Sequence, residues 1–497
     1  MTNYTKKAIH GAATIFVVSV IAAFVGYLVR FLMARNLTVE DFGLFYSVFS
    51  FLSLFIFVKS LGLERSLIYF IPQFKHEKRY DDIKSSIVYV AIVQFITNTF
   101  VIIGIFLLSS YLSTHFFHSD KSVIVLKLMA IAFFIDNFVF ILKFSFQGFQ
   151  EMGMYSVIDL VRMLITLCIV YFGFRMNYGI ISPVLAYIIA PAILIVIYTP
   201  ILLKSTFPQF SHSKFSFDKP LMKKLLKNGI FVMSADLAWL MLGSTDNMLL
   251  TYFSGLAAVG LYNVAMPTAN LLTYFPKAVA GIILPMSTEL WTNNKKNLLK
   301  DGMELLYKYT CILIIPMVLL MLSFSELIIS VLFGKEYLPA ANAMKILSIG
   351  TTFAAFYMLN TVFLVGIGKI KLSGVIVYTG AFVNLVFNIF LIPHFDVIGA
   401  AIATSSSYFI MLVIGTVRIK KIIELKLPVA VWTKSLIAGI FMLVGVELLK
   451  KLIFLNVWTE TAIVLFGSGI IYVTCLFVLK TIDIEEIKVL LKRVTKG

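Results

Sequence analysis

What most constrains this chain is the recurrence of apolar runs as long as a bilayer is thick. A run such as "SSIVYVAIVQFITNTFVIIGIFLLSS" (85–110) exceeds the roughly 20 residues a helix needs to cross, and about fourteen such stretches follow one another along almost the whole length. Strands of a membrane barrel would alternate with period two over about ten residues, and these runs do not. The expected fold class is therefore an all-α polytopic membrane protein. Composition agrees: 60% of the 497 residues are hydrophobic and 13% charged, at a mean hydropathy of +0.96, beyond any water-soluble domain. The first run has no small-residue cleavage site, so it is expected to stay as a helix rather than leave as a signal peptide.

The net charge of +17 points to basic loops against cytoplasm and anionic lipid, not to nucleic acid. With the amino terminus inside, the cytoplasmic segments hold "KHEKRYDDIK", "KSTFPQFSHSKFSFDKPLMKKLLK", "NNKKNLLK", "RIKKIIELK" and the tail "KTIDIEEIKVLLKRVTKG". The opposite segments hold little more than Arg35, Lys121, Arg175, Lys335, Lys450 and Lys451. This asymmetry predicts a multi-pass protein of the cell membrane with both termini cytoplasmic. Cys168, Cys311 and Cys475 lie in apolar segments without a pairing or metal pattern, and His115 and His118 lack acidic or cysteine partners. Neither a metal nor a cofactor is indicated. The longest external loop, around "STHFFHSDKS", is too short for a catalytic domain. Chemistry must happen inside the membrane or not at all, so an enzyme is not expected.

Sliding the second half back by about 217 residues lays "RFLMARNLTVEDFGLFYSV" on "NMLLTYFSGLAAVGLYNVA", with Gly43 on Gly260, and, with one residue of slip, "LKLMAIAFF" on "MKILSIGTT". Two copies of a six-helix unit are expected. An even helix number makes the copies parallel, one of the two transporter repeat classes. The predicted organisation is a six-helix lobe at 1–203, a basic cytoplasmic linker at 204–228, a second lobe at 229–421, a helix pair at 422–480 and a basic tail at 481–497.

Several segments carry a resemblance. "ARNLTVEDFGLFYSVFSFLSLFIFVKSLGLERSLIYFIPQF" (34–74), "DNMLLTYFSGLAAVGLYNVA" (246–265), "LFGKEYLPAANAMKILSIG" (332–350) and "GKIKLSGVIVYTGAFVNLVFNIFLIPHFDVIGAAIATSSSY" (368–408) closely resemble the polysaccharide-transporter branch of the MATE-like (MOP) flippase superfamily. The resemblance implies two six-helix lobes with a final helix pair, and movement of a lipid-linked oligosaccharide from the inner to the outer leaflet. Its implied partners are a polyprenyl-linked (undecaprenyl or dolichyl) oligosaccharide, membrane lipid, H+ or Na+, and neighbouring glycosyltransferases or a glycan polymerase or ligase. One departure is visible: the family commonly has Asp-Arg where this chain has Asp246-Asn247.

A charge at mid-bilayer costs from about 2.5 to more than 10 kcal/mol, so most such groups face a cavity or a partner. Arg30, Lys59, Arg65, Arg162 and Lys277 are the candidates for a cationic cavity that receives the phosphate of a lipid-linked sugar. Lys277 matches Lys59 in the repeat register. Asp136, Asp236 and Asp246 are the candidates for ion coupling. Asp159 and Arg162, at i and i+3, are expected to pair, Lys143 to snorkel, and Glu64 and Arg65 not to satisfy each other. Arg35, at the end of its helix, is the better snorkeller, and Arg30 the better candidate to meet a phosphate. Two alternatives compete with a flippase: an ion-coupled exporter of amphiphilic cations, whose cavity should be acidic and aromatic, and a membrane-embedded glycan polymerase.

Overall fold

The structure, a computed structural model, describes residues 3–452 and 457–482; the side chains of 3–16, 231, 234–236, 238, 239, 282, 452, 457 and 458 lie outside the described ones. Nearly all of the expected basic tail, 481–497, also lies outside them. The described residues are helical with no strand. In chain order the helices are α1 (Asn3–Asn36), α2 (Val39–Leu54), α3 (Ile56–Ser60), α4 (Leu63–His76), α5 (Tyr80–Leu112), α6 (Lys121–Gly148), α7 (Met152–Arg175), α8 (Ile181–Ile201), α9 (Lys219–Ser254), α10 (Leu256–Ala269), α11 (Tyr274–Thr292), α12 (Lys296–Ser323), α13 (Ser325–Leu332), α14 (Ala340–Gly366), α15 (Ile370–Ile423), α16 (Val429–Leu452) and α17 (Val457–Val478).

Among the described residues, eleven helices are long and apolar enough to cross a membrane, or twelve when α2 and the bent stretch Ile56–His76 count as one span. The difference from about fourteen has two physical sources. The sequence predicts two spans where α15 runs for 54 residues, interrupted by a non-helical Asp396 at φ 48° and ψ −129°. It also predicts a span at 229–253, within α9, which is not among the eleven; Asp236, Asp246 and Asn247 make that helix more polar.

Contacts divide the chain into two compact units. The first comprises Met1–Val264, Ser330–Ala340 and Ala381–Ala403. In it, α2 begins where the Thr38 hydroxyl accepts the Asp41 N–H (3.1 Å) and where Glu40 and Asp41 face the positive end of the helix dipole. Arg35, exposed, donates through its guanidinium to the carbonyls of Ser330 and Val331 and, at 3.2 Å, Leu332, satisfying the last orphan acceptors of α13. The core of this unit includes Leu67, Ile71, Ile83, Val90, Phe146, Leu194 and Leu225, all buried.

The repeat has a direct structural counterpart in this unit. A methyl group at Gly43 would fall 1.8 Å from the Leu256 carbonyl oxygen, and one at Gly260 would fall 2.3 Å from that of Val39. Val39 and Leu256 are themselves related by the offset that relates Gly43 to Gly260. The first turns of α2 and α10 therefore meet backbone to backbone in a reciprocal contact, each glycine receiving the start of the other helix.

The second unit comprises Ala265–Ile329, Ala341–Gly380 and Thr404–Gly497. Here α16 and α17, the expected extra pair, pack on α12 through Ile312, Ala438, Met442, Tyr472 and Leu476. Tyr472 donates its hydroxyl to the Ile312 carbonyl (2.9 Å). Deeper in this unit, the Tyr307 hydroxyl donates to Asn360 (2.5 Å) and Asn360 Nδ2 to Thr416 (3.0 Å).

Replacement of Gly43 by valine is expected to destabilise the protein by about 1–3 kcal/mol through overpacking, lowering the thermal midpoint in detergent. Gly104→Ala, at a helical position where a methyl group meets nothing within 4 Å, should leave the midpoint unchanged or raise it.

Candidate functional site

The site begins with a broken helix. Leu61 (φ 50°) and Gly62 (φ 66°) adopt left-handed conformations, and α2 and the following helical stretch are bent by 49°. A break in hydrocarbon frees backbone carbonyls with no water to receive them, and α5 supplies the donors. Thr97 Oγ1 (2.8 Å) and Asn98 Nδ2 (3.0 Å) donate to the Lys59 carbonyl, and Gln94 Nε2 (3.1 Å) to that of Ser60. Positions 94, 97 and 98 share one helix face by the i, i+3, i+4 rule.

The same face fixes a carboxylate. Glu64 is 8% exposed, accepts from Gln94 Nε2, and has the Ser60 hydroxyl 2.6 and 2.7 Å from its two oxygens. Asn137 on α6 donates to Gln94 Oε1 (2.8 Å), completing the chain. Glu64 and Arg65 point to different partners, as expected.

Beside this network lies a cavity of about 340 Å³, lined by Lys59, Ser60, Glu64, Arg65 and Asn137 and by apolar groups that include Phe140 and Leu240. Lys59, only 4% exposed, has its ammonium 4.7 Å from the centre of the Phe133 ring. The Arg65 guanidinium stands 5.4 Å from the centre of the Phe144 ring. Two of the five candidate cations thus share one cavity. In chemical terms, it sets an ammonium and a guanidinium at one cavity, with the Glu64 carboxylate and the Asn137 carboxamide alongside.

Other charges pair differently from the sequence expectation. Arg162 reaches across to Asp136 (3.0 Å), and Asp159 is taken by Lys143 (2.6 Å). The i,i+3 pair of Asp159 and Arg162 is not made, because each residue finds a partner on the facing helix α6. Lys143 is thus ion-paired across helices. Asp136, an ion-coupling candidate, is the counter-ion of a cavity candidate.

Arg30 donates through Nη1 to the Asn263 carbonyl, its guanidinium 4.3 Å from the centre of the Tyr46 ring. Asn263 Nδ2 donates to Asn247 Oδ1 (2.9 Å), and Asn247 Nδ2 to Ser50 (2.8 Å). Beside it, Asp246 is 2% exposed. It accepts from the Tyr262 hydroxyl (2.5 Å), Asn384 Nδ2 (3.0 Å) and Asn388 Nδ2 (2.6 Å). Lys277 lies in the second unit, exposed, with its ammonium 5.1 Å from the centre of the Tyr274 ring, unlike its buried repeat mate Lys59. The Asp236 side chain lies outside the described residues.

Sequence reasoning missed Ser60, Gln94, Thr97, Asn98 and Asn137. The signal was present in "VQFITN" (93–98), whose polar positions recur at helical spacing in an apolar run.

An all-helical, multi-pass architecture with charge clusters held inside membrane-length helices fits a membrane protein of the MATE-like type. The chain matches the family described as "Polysaccharide biosynthesis protein" over residues 8–291 and that described as "MatE" over residues 233–390. It belongs to the polysaccharide biosynthesis protein family, within the MOP superfamily of flippases and transporters. It is 36% identical to "Uncharacterized membrane protein MJ1068" of Methanocaldococcus jannaschii, over 99% of this chain and 100% of that one. It is 22% identical to "Probable low-salt glycan biosynthesis flippase Agl15" of Haloferax volcanii, over 44% of this chain and 46% of that one. Its fold resembles that of a solved "Lipid II flippase MurJ, inward closed conformation", with a TM-score of 0.73 at 16% identity, covering 93% of this chain and 97% of that one.

Asp136→Ala should destabilise the protein by about 3–5 kcal/mol by leaving Arg162 buried and unpaired. The double variant Asp136→Leu with Arg162→Met should recover most of that loss in a thermal unfolding cycle.

Proposed function

We propose that this protein is a flippase that moves a lipid-linked oligosaccharide, a glycan on a polyprenyl phosphate or pyrophosphate, from the inner to the outer leaflet of the cell membrane. Two parallel repeats work by alternating access, with both termini cytoplasmic. The protein makes and breaks no covalent bond; glycosyltransferases build its cargo and a polymerase or ligase consumes it. The observation that carries this reading is the cavity that places Lys59 and Arg65 together at the helix break. Two cations set at one cavity favour an anionic headgroup over an amphiphilic cation. The family match and the glycan biosynthesis flippase of Haloferax volcanii among its relatives support the same substrate class. A volume of about 340 Å³ suits the phosphate end of the carrier, with the glycan and lipid lying beyond it.

The membrane potential supplies a driving force. An inside-negative potential of about 100 mV favours outward movement of two negative charges by roughly 4.6 kcal/mol. An ion gradient can add to this at Asp246, whose oxygens are met by a phenol and two carboxamides; a carboxamide turned by a half-rotation presents an oxygen to a cation.

In vesicles containing purified protein and a lipid-linked oligosaccharide, Lys59→Gln and Arg65→Gln should each slow flipping about tenfold or more, the loss of one charge-assisted contact of about 1.5–3 kcal/mol. Unchanged flipping by both variants would remove this cavity from the pathway, and transport of amphiphilic cations in place of glycans would establish the exporter reading. Asp246→Asn should keep potential-driven flipping while losing any response to an imposed H+ or Na+ gradient, measured in the same vesicles.

A further inference from the structure

The segment between α8 and α9 is strapped to one helix of the first unit. Lys84 on α5 donates to the carbonyls of Phe210 and Ser213, both at 2.9 Å. Asp81 accepts the Lys214 N–H (2.7 Å) and Ser85 that of Ser216 (3.2 Å). The Tyr89 hydroxyl donates to the Ser216 carbonyl (2.9 Å) and accepts the Asp218 N–H. Tyr89 is itself buried, and its ring packs edge-on against both Phe215 and Phe217, at 5.5 and 5.6 Å.

So tight a fastening makes the exposure of the two phenylalanines informative. Phe215 is 45% and Phe217 66% exposed, although apolar rings on a pinned segment have every opportunity to turn inward. Around and beyond them lie Lys214, Lys219, Lys223, Lys224 and Lys227, all exposed, while Leu221 and Leu225 on the first turns of α9 are buried. Arg79, nearby in the α4–α5 loop, does not extend the strip, because it is ion-paired to Glu77 (2.7 Å) and Asp82 (2.5 Å). Asp218 is the one acidic residue between Lys214 and Lys227.

We propose that this strap is a docking surface for anionic phospholipid. Phe215 and Phe217 enter the interfacial region, where amphipathic elements bury their apolar side chains. The five lysines meet phosphate headgroups, an attraction that falls off within a Debye length and is screened by salt. The backbone hydrogen bonds to α5 hold the rings at a fixed height, so the partner is a surface that runs alongside the helix ends, which a bilayer is and a peptide groove is not. The surface is separate from the cavity at Lys59 and Arg65, and its test does not depend on transport.

The test uses the full chain in vesicles of phosphatidylcholine alone or with added phosphatidylglycerol. A nitroxide is attached to Phe217→Cys on a background in which Cys168, Cys311 and Cys475 are replaced by alanine. Thermal melting verifies the fold, and a second label at exposed Lys335→Cys, in the first unit but away from the strap, serves as reference. Accessibility of the strap label to oxygen relative to a water-soluble nickel complex should rise several-fold on adding phosphatidylglycerol, and high salt should reverse the rise. Replacing all five lysines by glutamine, at positions exposed enough not to threaten folding, should abolish it. A label equally aqueous in both vesicles would overturn the proposal. So would an immersion that the five glutamines leave unchanged, which would show apolar insertion without headgroup recognition.

Discussion

A backbone carbonyl released inside a bilayer has no water to turn to, and leaving one unsatisfied costs several kcal/mol. The break at Leu61 and Gly62 releases such groups at Lys59 and Ser60, and the arrangement of the first unit around them follows from their capture. The polar face of α5 must stand against the break, because Gln94, Thr97 and Asn98 bond there. Gln94 has a second amide hydrogen and a carbonyl oxygen left over. The hydrogen binds Glu64 and the oxygen binds Asn137, tying α4, α5 and α6 together at one level. Beside the break lies the cavity that Lys59 and Arg65 line.

Pairing then decides which cations remain available to a ligand. Arg162 and Lys143 are neutralised by carboxylates at 3.0 and 2.6 Å. Arg30 and Lys59 are met by a carbonyl and by aromatic faces; among the described residues no carboxylate lies within ion-pair distance of either. A desolvated cation–π contact contributes about 2 kcal/mol, against a burial penalty of several kcal/mol per ion. An anion placed beside Arg30 or Lys59 would therefore lower the free energy, whereas Arg162 would first have to give up Asp136. On the proposed function, burying Lys59 with no carboxylate in ion-pair distance among the described residues would favour a phosphate over a neutral lipid.

Much of this was legible in the sequence, because its strongest signals are those the membrane itself imposes. Apolar length gave the helical class, and the offset of about 217 residues found Gly43 and Gly260, which the structure brings into reciprocal contact. Lys59 and Arg65 were legible as charges that need a reason. Partner choice was not, since spacing along one helix says nothing of what the facing helix offers. Asp159 and Arg162 had good i,i+3 geometry, yet Lys143 and Asp136 on α6 were better placed to reach them. Uncharged residues were the harder case. Gln94, Thr97 and Asn98 form a polar face whose purpose shows only once the chain is known to break opposite them, and Leu61 is a poor advertisement for a left-handed turn.

The departure at Asn247 gains a physical reading from the repeat. The register places Asn247 on Arg30, so the family's Asp-Arg pattern would put a second guanidinium at the symmetry mate of the first. In the structure the two positions are one hydrogen-bonded residue apart, because Asn263 accepts from Arg30 through its carbonyl and donates to Asn247 through its side chain. Two guanidiniums bridged by one asparagine would repel at short range in a low-dielectric setting, a state favoured only when an anion lies between them. With asparagine at 247, the cluster closes on itself through Ser50 and keeps a single cation. On the proposed function, cationic recognition of the carrier would therefore fall to the helix break, and the cluster around Asn247 would offer carboxamides and hydroxyls, groups suited to the neutral hydroxyls of a sugar.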